Sequence, residues 1–172
     1  MKRIGFGQVE PNHLSAKRTG QIYAQLPAAD TLAILENGQF VKYDYKEGEV
    51  NLTGAGEWML VYNEVKLYED REFYRDFALI SANAVGGHAV PRVFKTNIGD
   101  IYTTNCVGVA NTDKKATVDD KVTYVEGDIL VPGTDGYLAK KESPAATDMQ
   151  WQVVKVYTLA DGQAAVKLMR IA

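Results

Sequence analysis

The sequence predicts a mainly β protein, a small β-barrel or β-sandwich with an extended N-terminal arm and at most one or two short helices. Three observations carry that prediction. Apolar and polar residues alternate in short runs such as "FVKYDY" and "WMLVYNEVKLY", the period of half-buried strands. Turn pairs such as Asn37-Gly38, Glu47-Gly48, Asp135-Gly136 and Asp161-Gly162 punctuate those runs. The best helical spacing, Phe73 and Phe77 with charges between them in "EDREFYRDFALI", is confined to one short segment, for which a loop pinned by the two aromatics is the alternative.

Residues 1–20 read as the arm, because Gly5, Gly7, Pro11 and Gly20 among scattered polar residues give neither a helical nor a strand period. Such a segment needs a partner surface to become ordered. Residues 21–172 read as the β-rich domain, with lobes at 21–90 and 91–172 as a possible division. Asp30 or Thr31 caps a short helical turn through Leu35, and "QFVKYDYKEGEVNL" is a strand, a turn and a returning strand. In the next strand Met59, Val61, Val65 and Leu67 share one face, and Leu60, Tyr62, Glu64, Lys66 and Tyr68 the other. "SANAVGGHAVP" is a Gly-rich connection. "RVFKTNIGDIYTTNCVGV" is strand chemistry interrupted at Gly99-Asp100 by a turn or bulge. A polar loop, "ANTDKKATVDDK", leads to the hairpin "YVEGDILVPGTDGYLAKK". There Gly127, Pro132, Gly133, Asp135 and Gly136 set turns, while Ile129, Val131 and Leu138 feed a core. The chain closes on a second hairpin, "MQWQVVKVYTL" to "QAAVKLMRI".

The two halves echo each other. "GQFVKYDYKEGEV" from Gly38 and "GDILVPGTDGYLA" from Gly127 share an order of glycine, polar residue, apolar pair, turn and return, and each precedes a strand opened by tryptophan, Trp58 or Trp151. "GDIY" at Gly99 is a partial third echo. A true repeat implies two related β lobes or a pseudo-symmetric barrel; chance in a β-rich chain is the alternative.

Composition narrows the function. The 172 residues suit one domain or two small packed lobes, and no apolar run reaches the length of a membrane helix. A net charge of −3 and a pI near 5.4 argue against a protein that grips nucleic acid. The basic concentration at Lys2, Arg3, Lys17 and Arg18 reads as a solvated tail or a contact for an acidic surface. The N-terminal stretch lacks the apolar core of a signal peptide, so the Asn51-Leu52-Thr53 sequon is read as coincidence. Cys106, the one cysteine, rules out an intrachain disulfide.

Reactive constellations are sparse. His13 and His88 have no ligand at zinc spacing, and Cys106 sits in a Thr-rich strand pattern where a small buried residue is the default reading. The carboxylates Asp113, Asp119, Asp120, Asp128 and Asp135 fall in turns and loops, where they cap backbone amides. The charges from Glu69 to Asp76 alternate in sign, as a solvated face or a contact rim does. Ten tyrosines suit sheet faces and interfaces alike; Tyr68 and Tyr74 are candidate contacts. The reading is non-enzymatic, without cofactor or metal.

The pattern of a Gly-Asp-led hairpin, a Trp-led strand and the closing "ADGQAAVKLMRI" resembles the head decoration, or capsid cement, proteins of tailed bacteriophages. The resemblance covers residues 36–62 and 124–171, and its motifs are structural. It implies a virion structural protein made in the host bacterial cytoplasm and mounted on the capsid exterior. It further implies contact with the major capsid protein and self-association, a trimer being favoured. Lys2, Arg3, Lys17, Arg18, Tyr68 and Tyr74 are the candidate capsid or subunit contacts, and Gly38 joins the hairpin residues as a structural turn. Other readings are a head–tail connector or tail protein, a carbohydrate-binding module stacking sugars on Trp58, Trp151 or exposed tyrosines, and an enzyme built around His88 or Cys106.

Overall fold

A computed structural model describes residues 5–15, 26–63, 78–80, 90–109 and 124–172. The named elements within them are all strands: β1 (Val9–His13), β2 (Ile34–Glu36), β3 (Phe40–Asp44), β4 (Glu49–Asn51), β5 (Trp58–Val61), β6 (Ala78–Ile80), β7 (Val93–Phe94), β8 (Ile101–Thr104), β9 (Ile129–Pro132), β10 (Leu138–Lys140), β11 (Trp151–Thr158) and β12 (Ala164–Arg170). They form a six-stranded sheet in the order β1-β8-β12-β11-β9-β10, a four-stranded sheet in the order β4-β3-β5-β7, and the pair β2-β6. All pairings between named strands are antiparallel. The architecture is mainly β and sandwich-like. Neither larger sheet closes into the barrel that the sequence left open.

The two larger sheets face each other across a shared core. Phe40, Leu60, Tyr62 and Phe94 from the four-stranded sheet meet Tyr102, Leu130, Leu138, Trp151, Val153, Val166 and Leu168 from the six-stranded one. Phe40 lies 5.8 Å from Trp151, ring centre to ring centre. The opposite face of the four-stranded sheet is apolar as well. Val41, Val50, Met59, Val61 and Val93 pack there on Ala28, Ala29, Leu32 and Leu35. Runs such as "WMLV" therefore carry large apolar residues at every position, as a strand buried on both faces must. Of the expected faces, the described part holds, with Met59 and Val61 on one core and Leu60 and Tyr62 on the other; residues 64–68 lie outside the described residues.

Three local expectations meet a different outcome. Within the expected arm, residues 9–13 form β1 and pair with β8, so the partner surface is the chain's own sheet. Pro11 is tolerated because β1 lies at the edge, beside an irregularity between Glu10 and His13. Instead of a helical turn through Leu35, a turn at Asp30 and Thr31 leads into β2; the β-branched Ile34 and its apolar neighbour Leu35 favour pairing with β6. The last three residues of the helix candidate, 78–80, are strand β6, and the remainder of that segment lies outside the described residues.

The echo between the halves has a topological counterpart. β3 is flanked by its hairpin return β4 and by the Trp-led β5; β9 is flanked by β10 and by the Trp-led β11. The registers differ by one step. Trp58 stands opposite Lys42, four residues past Gly38, whereas Trp151 stands opposite Leu130, three past Gly127.

Candidate functional site: turns, a polar seam and a tryptophan cleft

Among the described residues, buried polar side chains organise three turns of one design: Gln39, Asp100 and Asp128 are all buried. Residues 36–39, 97–100 and 125–128 each place glycine third, at φ +94°, +91° and +92° for Gly38, Gly99 and Gly127. The fourth residue's N–H donates to the first residue's carbonyl at 3.1, 3.0 and 3.1 Å. Its side-chain oxygen, from Gln39, Asp100 or Asp128, accepts the first residue's N–H at 3.1, 2.9 and 3.0 Å. The glycine N–H donates to a neighbouring strand at Val61, Arg170 or Val153, and that same residue's N–H returns a bond to the fourth residue's carbonyl. "GDIY" is thus a full third instance of the turn, and each copy launches a strand: β3, β8 or β9.

Each of these polar side chains also reaches a second segment. Gln39 donates to the Asp135 carbonyl at 2.8 Å. Asp100 accepts the Ser15 N–H at 3.0 Å and the Ser15 hydroxyl. Asp128 accepts the Lys140 ammonium at 2.6 Å. Burial works against the Asp128 carboxylate, but the Lys140 ammonium and the Val125 N–H outweigh it and hold its pKa below the usual carboxylate value.

Beside the first turn runs a polar seam. The carboxylate of Glu36, fully buried, accepts the Gly7 N–H and the Tyr137 hydroxyl, both at 2.7 Å. Gln8 donates from its backbone to Asn105 and from its side chain to Asp161. Gln163 accepts from Asn105 and donates to Asp161. Backbones approach closely here. A Cβ on Gly38 would lie 2.7 Å from the Cys106 Cβ, and one on Gly7 2.0 Å from the Asn37 carbonyl oxygen.

The second feature is a cleft of about 450 Å³ where Lys42 of β3 and Trp58 at the start of β5 meet the 141–149 loop and the end of β12. Trp58, Lys42 and Glu57 line one side; Pro132, Lys141, Asp148, Met149 and Arg170 line the other. The Trp58 ring is half-buried against the shared core and carries the Lys42 ammonium 4.7 Å from its centre. Lys141 pairs with Asp148 at 3.0 Å, and that ammonium, with the Ala145 N–H, pulls the Asp148 pKa down. Arg170 donates to Ala172 at 3.1 Å and to Thr96. Burial lowers the Arg170 pKa, against the opposing charges of Glu57 and Asp100. The cleft offers one aromatic wall among cations and carboxylates that are bonded to protein groups.

Of the residues singled out from the sequence, Gly38, Gly127 and Gly136 take the left-handed conformation expected of turns. Pro132 ends β9, the Gly133 N–H bonds the Tyr137 carbonyl, and the Asp135 carboxylate accepts the Tyr137 N–H. Lys2, Arg3, Lys17, Arg18, Tyr68, Tyr74 and His88 lie outside the described residues. Cys106 is fully buried, and His13 ends β1 exposed. Trp151 is wholly buried and offers no stacking face, which leaves Trp58 as the described tryptophan near solvent. Glu36 and Tyr137 were missed from sequence. Their separation, |i−j| = 101, gave no local signal.

Compared with known proteins, the chain matches no family model, no curated protein and no solved structure.

Proposed function

We propose that this chain is a non-enzymatic structural protein of a tailed-phage virion, one that decorates or cements the capsid exterior and stabilises the shell. The observation that supports it is the use made of the described polar residues. Gln39, Asp100 and Asp128 hold three copies of one turn, and Glu36 ties the N-terminal segment to Tyr137. The Gly-led hairpins that carry the resemblance are the same residues that organise the sheets. A scaffold of this kind presents turns and strand edges to neighbours, and many copies on a symmetric lattice make weak contacts count. In this reading the major capsid protein is the partner and self-association accompanies assembly.

The test is to purify particles of the phage whose genome encodes the chain and quantify it by mass spectrometry. Many copies per particle at a constant ratio support decoration. A few copies point to a connector or tail component. Absence from particles overturns the virion role.

The Trp58 cleft favours a second reading, a carbohydrate-binding module. A glycan-array screen with Trp58→Ala as control tests it. Binding lost in that variant would favour the module, whereas no binding by the wild-type chain removes it.

A further inference from the structure

The charges that line the Trp58 cleft are not all matched. Lys141 pairs with Asp148 at 3.0 Å, and Glu57 pairs with Lys95 at 3.0 Å, so both side-chain carboxylates of the cleft are already neutralised. Lys42 differs. Its neighbours across the ladder are Trp58 and Asn51, neither of them acidic. Asp44, two positions on along the same face of β3, is committed to the Lys46 and Glu47 N–H groups and to Asn51. Among the described residues the half-buried Lys42 therefore has the Trp58 ring as its contact and no carboxylate partner. Arg170 adds a second donor. Its Nε and Nη1 bond Ala172 and Thr96, and its Nη2 makes no bond among the described residues.

The volume of about 450 Å³ falls inside the range of small-molecule sites, roughly 300–1,000 Å³. A ligand that stacks on Trp58 has to share the ring with the ammonium that sits 4.7 Å from its centre. A neutral pyranose that displaces this ammonium forfeits the cation–ring attraction without return. A sugar bearing a carboxylate offers the ammonium an ion pair in exchange, and charge-assisted hydrogen bonds are the stronger kind.

We propose that the cleft binds an acidic sugar, a hexuronate unit of a glycan, with the apolar face of the pyranose on Trp58 and its carboxylate on the Lys42 ammonium. Ring and ammonium are close enough for one monosaccharide to touch both, and Arg170 Nη2 supplies a donor for a further sugar oxygen. The acidic class rests on the carbohydrate reading of the cleft and not on the virion reading.

The test titrates the 15N-labelled full chain with methyl glucuronide, with methyl glucoside, which carries a hydroxymethyl group in place of the carboxylate, and with acetate. The two indole N–H signals are followed by NMR. The glucuronide should move the Trp58 signal with an affinity about tenfold or more above that of the glucoside, and added salt should narrow the gap. Lys42→Gln should erase that preference at an unchanged melting temperature, and Lys42→Arg should keep most of it. Equal binding of the two sugars, or a preference that survives Lys42→Gln, overturns the acidic class and leaves the carbohydrate reading standing. Acetate as effective as the glucuronide reduces the cleft to a simple anion site and overturns the sugar. Binding of neither sugar overturns both the acidic class and the carbohydrate reading.

Discussion

The Tyr102 ring meets Trp151 edge-on at 5.0 Å, and neither the Tyr102 hydroxyl nor the Trp151 indole N–H has a hydrogen-bond partner. Both residues are fully buried in the core shared by the two larger sheets. The aromatic contact is favourable, yet two polar atoms are desolvated without return. Burial accordingly pushes the Tyr102 pKa well up. Tyr102→Phe keeps the ring and removes one of those atoms. It should raise stability by about 1 kcal/mol, read as a higher denaturant midpoint at unchanged m-value.

The three glycine turns share a backbone but not their surroundings. A Cβ at Gly127 meets nothing within 4 Å, so Gly127→Ala should cost only its backbone strain, about 1–2 kcal/mol. A Cβ at Gly38 meets both Cys106 and Thr104 at 2.7 Å. Gly38→Ala should therefore cost on the order of 3 kcal/mol or more. Parallel thermal melts of the two variants check the ranking, and equal losses would contradict the crowding at the seam.

The two tryptophans should differ in the same way. Trp151→Ala opens a cavity at the centre of the shared core and should cost about 3–5 kcal/mol. Trp58 lies at the rim, and its truncation should cost roughly 1 kcal/mol. Chemical denaturation measures both, and a larger loss at Trp58 would reverse the assignment of centre and rim.

Acid should loosen the 125–128 turn. The folded Asp128 carboxyl has a pKa below that of the unfolded chain, which lies near 3.9. Its contribution is therefore complete above about pH 4 and is lost as pH falls through the folded value. Asp128→Asn should be less stable than wild type at pH 6 and lose less stability between pH 5 and pH 2. Equilibrium unfolding across that range reads the slope directly; parallel curves would mean that the Lys140 pair adds nothing.

What could be read from the sequence was local. The hairpins at Glu47-Gly48, Pro132-Gly133 and Asp161-Gly162 announce themselves through residues a few positions apart, and the two faces of β5 follow from strand alternation. β1 was not legible, because Pro11 and the irregularity after Glu10 erase its period and its partner β8 is distant in sequence. The difference between Trp58 and Trp151 was hidden as well. Both open a strand after the same grammar, and only the one-step change of register and the layer stacked above separate rim from centre. The Glu36–Tyr137 bond joins segments that no spacing rule connects.

The pairing of β1 with β8, and the tie between Gln8 and Asp161, bear on how the chain is made. A ribosome releases residues 9–13 long before residues 101–104 exist, and Gln8 must wait for a partner 153 positions downstream. Contacts of such separation slow folding and leave a strand uncovered during synthesis. β1, the earliest of the described strands, is then among the last to find its place. Pro11 lies in the middle of that waiting strand, where it blocks a backbone donor that a passing chain would otherwise use.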